Sequence, residues 1–334
     1  MVEFARMVDL HCHYLPAVDD GAANLNEGLD LIRAAHDNGI SRILLTPHIH
    51  VGRYDNTNSS LQTRFETFRR AITAANIPVE IALAAEVRCS DDLFGLIEQE
   101  EVPFLLDAKG NKTLLLEMPH SHVPPGVDQL VRWLLKRNIR PMLAHPERNK
   151  EFMKYPHRLA DLCSAGCLTQ ITAAAVIGRF GEKSQHAAHA LLNDDLVSVI
   201  ATDAHNLQHR PPLLREAANW VAQNFGEERA WRLVGATPAA LSTGNFYRRA
   251  AQPRKSVAVI ATHDLNLREA PQVAKPITVE SFNSIKTAPT AGTDFCEQAF
   301  SRLREKLNER AAQPGGAGSK AARTLAIMDD WRVR

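Results

Sequence analysis

Nine side chains in this sequence are of the types that grip divalent cations: His11, His13, Asp20, His48, Glu86, Glu117, His145, Asp203 and His205. Imidazoles and carboxylates without thiolates suit borderline and hard divalent ions such as Mn2+, Zn2+ or Fe2+, with Co2+ also possible. Nine are too many for one ion. At roughly three protein ligands per metal they provide for two or three, with a carboxylate such as Glu86 bridging neighbours. A cluster of that kind acidifies water and neutralises phosphoryl oxygens, so the chemistry it implies is hydrolysis. Two arginines follow ligands closely, Arg148 in HPERN and Arg210 in DAHNLQHRPP. Either alone is as well explained by solvation or by a pair with Glu147; together they read as a phosphate clamp, because a guanidinium presents paired planar donors. The expected mechanism is in-line attack of a metal-bound hydroxide on phosphorus. Arg148 and Arg210 stabilise the equatorial oxygens, and Asp20 is counted with them in the catalytic group.

Such residues need a frame that brings them together. Met7, Val8 and Leu10 suit a buried strand, on whose continuation His11 and His13 share a face while Cys12 points away. The following turn, with Pro16 and Gly21, can fold Asp19 or Asp20 back toward them. Helical spacing over Asn26–Asn38 stops at Gly39 and returns at Leu61–Ala75. Strands are expected at 43–46, at 79–85 ending in Glu86, at 114–116 ending in Glu117, at 141–144 ending in His145, at 168–171, and at 197–201 ending in Asp203 and His205. Between them lie a short capped helix over Asp91–Gln99 and helices at 127–137, 158–165 and 184–192. The alternation repeats about seven times, which argues for a parallel sheet closed into a distorted (β/α)7 TIM-like barrel. Eight of the nine candidate ligands, all but Asp20, then fall at or just past the carboxyl end of a strand, and those ends converge on one mouth.

Helices at 212–223 and 227–233 lead to a short closing helix over TPAALSTGN, with Pro238 in its first turn and Gly244 after its last. The catalytic domain is expected to span residues 1–248. Residues 249–334 turn to Ala, Pro, Thr and Gly and read as a weakly ordered extension, with a possible strand at 257–261 and helix at 295–307.

The chain of 334 residues, 45% hydrophobic and 23% charged, is long enough for one large core plus an appendage. Its formal net charge of +1 gives no electrostatic case for nucleic acid or an anionic membrane surface, and no run of apolar residues spans a bilayer. With no room for a signal peptide before the first strand, a cytoplasmic protein is expected. The 5 cysteines are odd in number and form no CxxC pair, which fits reduced thiols.

The segments DLHCHYLPAVDDGA, TPHIHVGRYDN, AAEVR, LLLEMP, LAHPERN and TDAHNLQHRPP, in this order, resemble the polymerase-and-histidinol-phosphatase (PHP) superfamily. Within it they resemble the CpsB/YwqE-type manganese-dependent protein tyrosine phosphatases of bacterial capsule and exopolysaccharide gene clusters. The resemblance spans residues 7 to 247. It implies a PHP-type barrel with a trinuclear site, in which the nine residues above match the metal ligands and Arg148 and Arg210 the phosphate-binding arginines. It also implies a substrate, the phosphotyrosine tail of a tyrosine autokinase of polysaccharide export. Two positions depart from the family pattern: Ala17 stands where Gly is usual, and Asn149 where Tyr is common after HPER.

Other readings are a small-molecule phosphatase of the same fold, acting on histidinol phosphate or a sugar phosphate, and a catalytically silent PHP scaffold. The intact ligand set argues against the scaffold. Cys296–Arg302 satisfies C-x5-R, but that loop has no glycine to turn backbone N–H groups inward as a phosphate cradle.

Overall fold

Strands that read as unbroken apolar runs are buried on both faces, and side-chain alternation decides which residue goes where. The computed structural model describes residues 6–250. Its strands are β1 (Met7–Asp9), β2 (Ile40–Leu45), β3 (His48–Ile49), β4 (Glu80–Leu83), β5 (Glu86–Arg88), β6 (Leu105–Leu106), β7 (Lys112–Glu117), β8 (Ile139–Ala144), β9 (Leu168–Thr172) and β10 (Val199–Ala201). Two parallel sheets run in the orders β1-β2-β4 and β10-β9-β8-β7-β5-β3, and β6 pairs antiparallel with β7.

The two sheets are halves of one ring. Ala84 N–H donates to Leu45 O (2.9 Å) and Glu86 N–H to Pro47 O (3.2 Å), carrying the ladder from β2 and β4 onto β3 and β5. On the other side Asp203 N–H donates to His11 O (2.7 Å) and His13 N–H to Ala204 O (2.9 Å), joining the end of β10 to the end of β1. Ring closure is the barrel arrangement that the alternation implies.

Within each strand alternate residues divide between two cores. Val8, Leu44, Ala82, Leu115, Met142, Val199 and Ala201 form an inner cluster. Ile43, Leu45, Leu114, Leu116, Leu143 and Ile200 face outward into a larger cluster with helix residues such as Leu31, Phe65, Phe68, Leu130 and Leu134. The helices start where local chemistry allows. Asn24 caps Leu25–Asp37 by accepting from Glu27 N–H, and Thr57 with Ser60 forms a capping box for Asn58–Ala74.

Three expectations need correction, and one short antiparallel strand was unanticipated. Glu86 does not end its strand but begins β5, because backbone pairing breaks at Ala84–Ala85 and resumes alongside His48. The helix near Asp91 runs Asp92–Glu98, and Asp91 gives its first turn no side-chain cap. The short β6 had no periodic signal. The closing helix is not short: it spans Thr237–Ala250, with Gly244 inside it.

That glycine permits close approach, since a Cβ there would lie 2.2 Å from Asp107 O. Beside it Asn245 accepts from Leu106 N–H and donates to Phe104 O (2.9 Å), while Phe246 packs on the inner cluster and lies under the Arg42 guanidinium. Leu106 pairs with Lys112, the first residue of β7, so the closing helix seals the amino-terminal end of the barrel. The extension expected beyond residue 250, with its possible strand and helix, lies outside the described residues. Among the described residues no helix is long and apolar enough to cross a membrane.

Forcing a methyl group into the Gly244 contact overpacks it. Gly244→Ala is expected to cost about 1–3 kcal/mol, read as a lower urea midpoint, while the mouth residues keep their metal content.

Candidate metal centre

Each of the nine residues singled out from the sequence reaches the same mouth. His11 and His13 follow β1 and are completely buried, as is Glu86 at the start of β5. His48 opens β3, Glu117 ends β7, His145 follows β8, and Asp203 and His205 follow β10. Three overlapping groups result: His13, Asp20, His48 and His205; His11, His13, Glu86 and Asp203; and His48, Glu86 and Glu117, each with its ligand atoms within 4.8 Å of one another. His145 joins them through Glu86, with Nε2 2.8 Å from Oε1.

Glu86 is the hub. Its Oε2 lies 3.1 Å from His11 Nε2, 3.3 Å from His13 Nε2 and 3.1 Å from His48 Nδ1. Burial alone would raise its carboxyl, but the His11 and His48 imidazoles hold it well below the carboxylate range. Glu117 moves the other way, raised by burial and by the neighbouring Glu86 charge. Burial pushes His145 down to about 4, and burial with His13 brings His205 down to about 4. Neutral imidazoles keep their lone pairs.

The outer nitrogens decide where those lone pairs point. His11 Nδ1–H donates to Gln170 Oε1 (2.7 Å), and the Gln170 amide is oriented by its own bond to Ile171 O. His13 Nδ1–H donates to Asp19 Oδ2 (2.8 Å), and His205 Nδ1–H to Asp203 O (3.0 Å). All three turn Nε2 into the mouth; burial opposes charge on His11 and His13, but the Glu86 and Asp203 carboxylates raise His11 and the Asp19 carboxylate raises His13 well above the usual range. Buried Glu86 Oε2 and His205 Nε2 lack a hydrogen-bond partner among the described residues. Orphaned buried atoms in a cluster of imidazoles and carboxylates call for a further partner, and the donor set fits divalent cations. Asp20, 42% exposed and 3.4 Å from His48 Nε2, leaves the group open to solvent on one side.

The arginines meet on one atom. Arg148 Nη1–H donates to Asp203 Oδ2 (2.6 Å) and Arg210 Nη2–H donates to the same oxygen, while Asp203 Oδ1 faces His11 Nε2 at 3.3 Å. A pair between Arg148 and Glu147 is not formed. Glu147 is buried and accepts from Thr172 N–H (2.9 Å) and Oγ1–H (2.7 Å). Arg210 Nε–H is buried without an acceptor among the described residues, a donor available to an anion.

Several working residues carried too little sequence signal. Gln170, mid-strand in LTQIT, was legible only as a polar residue in an apolar run. Asp19, the other half of the DD pair, aims His13 and accepts from His48 N–H (3.0 Å). Asp9, pushed up to about 6 by burial, ties β1 to the loop after β10 through Thr202 Oγ1 (2.6 Å) and N–H (2.9 Å). His50, Arg53, Tyr54, Arg88 and His120 line the mouth as well. Both departures from the family pattern have local consequences. Ala17 occupies a left-handed backbone conformation (φ 57°) that glycine adopts freely. Asn149 caps the helix Lys150–Lys154 and donates to Pro119 O (2.6 Å) and His122 O (3.0 Å), pinning the loop after β7. Cys296–Arg302 lies outside the described residues.

The sequence model of capsular polysaccharide synthesis, CpsB/CapC, matches residues 7–242. The tyrosine-protein phosphatase YwqE of Bacillus subtilis strain 168 is 32% identical over 250 residues, which is 75% of this chain and 97% of that one. A putative tyrosine-protein phosphatase CapC of Staphylococcus aureus is 30% identical over 213 residues, 64% of this chain and 82% of the other. Among solved structures, one described as YwqE from Bacillus subtilis and CpsB from Streptococcus pneumoniae, unique metal-dependent tyrosine phosphatases, superposes with a TM-score of 0.66 at 31% identity. It covers 70% of this chain and 94% of its own.

Because Glu86 belongs to two of the three groups and Asp20 to one, Glu86→Gln should lower divalent-metal content, measured by elemental analysis, more than Asp20→Asn does. Glu147 generates a separate expectation. Burial pushes its carboxyl from 4.5 up to about 7, with the Thr172 bonds opposing. The folded chain then holds a proton that the unfolded chain releases, so stability falls as pH rises from 4.5 through about 7, by up to about 3 kcal/mol, and is level above. Replacement by Gln should flatten that part of the pH profile in urea titrations.

Proposed function

The chain belongs to the CpsB/CapC family of capsular polysaccharide synthesis, and we propose from that premise that the mouth hydrolyses phosphotyrosine monoesters in a metal-dependent reaction. Its substrate, on this reading, is the phosphotyrosine tail of a tyrosine autokinase of polysaccharide biosynthesis, met in the cytoplasm. Manganese is the proposed resident ion, in two or three positions held by His11, His13, Asp20, His48, Glu86, Glu117, His145, Asp203 and His205. The observation that carries the reading is the convergence of those groups beside two arginines on a single carboxylate.

When bound, divalent cations supply Lewis acidity at the phosphoryl group and acidify water. The chain's own residues do the rest. Arg148 and Arg210, held side by side by Asp203 Oδ2, present their remaining N–H groups to phosphoryl oxygens. Charge that builds on those oxygens as the ester bond breaks is met by donors already in place, which costs no reorganisation at that moment. Arg88 Nη1–H donates to Glu117 Oε1 (2.9 Å) and orients that carboxylate. Asp20 sits at the solvent side between His48 and His205, and the two imidazoles beside it hold its carboxyl below the usual range. It therefore stays ionised where substrate enters.

Thorough chelation with EDTA is expected to abolish hydrolysis of p-nitrophenyl phosphate, and added Mn2+ to restore it. Turnover that survives chelation sinks the reading. Arg148→Ala should lower kcat/KM by roughly 10²–10³-fold with metal content unchanged. A competition assay separates substrates: phosphotyrosine peptides should outcompete histidinol phosphate and sugar phosphates, and the reverse order would assign the site to metabolites.

A further inference from the structure

Phe180 lies outside the ligand set, on the segment between the helices Ala173–Val176 and Glu182–Asn193. It is half-buried and packs against the outer core. Its ring is the surface that both phosphate-facing arginines share. The Arg148 guanidinium carbon stands 4.7 Å from the ring centroid and that of Arg210 5.9 Å. Gly178 (φ 81°) and Gly181 (φ 86°) bracket the residue and turn the segment around it.

The arrangement poses an electrostatic problem that Phe180 addresses. Two guanidiniums converge on Asp203 Oδ2, so one negative charge faces two positive ones, and Asp203 Oδ1 is turned toward the imidazoles of His11 and His13. Like charges held this close repel, and the carboxylate cannot neutralise both. The face of a phenyl ring carries the negative part of its quadrupole and attracts a cation within about 6 Å of the centroid. Both arginines fall inside that range, although they come from segments 62 residues apart in sequence, at positions 148 and 210.

We propose that Phe180 is a positioning residue, whose ring holds the two guanidiniums together for a phosphoryl group. The role rests on the phosphatase reading given above. It needs no contact between Phe180 and the substrate: the ring acts through the arginines, offsetting their repulsion before an anion arrives.

The test uses the full-length, Mn2+-loaded chain and two variants. Phe180→Leu keeps an apolar side chain and removes the aromatic face; Phe180→Tyr keeps the face. For Phe180→Leu the KM for p-nitrophenyl phosphate and the inhibition constant for inorganic phosphate should each rise about 5- to 10-fold, with kcat less affected. Manganese content and thermal midpoint should stay at wild-type values. Phe180→Tyr should restore both constants. Should the leucine variant unfold early, Phe180→Met, nearer to Phe in length, is read the same way. Unchanged phosphate inhibition in the leucine variant, or a tyrosine variant as impaired as leucine, overturns the role. A wild-type chain that neither hydrolyses the ester nor is inhibited by phosphate overturns the phosphatase reading instead, so the two failures are distinguishable.

Discussion

Everything in this molecule is arranged around an electrostatic burden: imidazole nitrogens and carboxylate oxygens buried close to one another at one end of the barrel. His11, His13 and His205 each turn Nδ1 to an outer acceptor and Nε2 into the mouth, where Glu86, Asp203 and Asp20 stand. Burial strips these groups of hydration, and packing alone does not offset that loss. Divalent cations between them would offset it, and the same groups that burden the fold would then serve as ligands. The hydrogen bonds that Gln170 Oε1, Asp19 Oδ2 and the Asp203 carbonyl accept fix the orientation of each ring.

The barrel is what makes such crowding possible. Parallel strands and the short segments that continue them, β3 and β5, lead to one rim, so residues 11, 48, 86, 117, 145 and 203 meet although they are far apart in the chain. Alternation inside each strand supplies two apolar surfaces, one for the axis and one for the helices. The closing helix, with Gly244 against the backbone of Asp107, seals the other end. Ordinary hydrophobic burial thus supports the rim, which then need not be stabilising itself.

Most of this could be read from the sequence because strand-end polarity is a positional signal. A histidine or carboxylate that recurs after each apolar run, as at His48, Glu117 and His145, marks one face of a barrel without any knowledge of distances. What stayed hidden has a physical cause in each case. Glu86 looked like a strand end because VEIALAA is unbrokenly apolar after Glu80, and composition does not show where pairing shifts from one neighbour to the next. Gly244 looked like a helix stop because a close backbone approach from a distant segment leaves no local trace. Gln170 and Phe180 act on other side chains across the fold, so neither lies in a motif.

Asp203 couples the imidazole cluster to the two arginines. One oxygen faces the imidazoles and the other holds two arginines, so a shift in either set moves the other through a single rigid carboxylate. The backbone bears a cost there: Asp203 (φ 50°), two residues past β10, and His145 (φ 34°), the first past β8, both stand in the left-handed region. Strain of this kind, of order 1–3 kcal/mol each, persists only where the surroundings over-determine it. Here they do, since His145 N–H donates to Gln170 O and Asp203 N–H to His11 O, both at 2.7 Å. The last ladder bonds of the barrel therefore hold the turn that swings each side chain inward, and fold closure and site geometry rest on the same atoms.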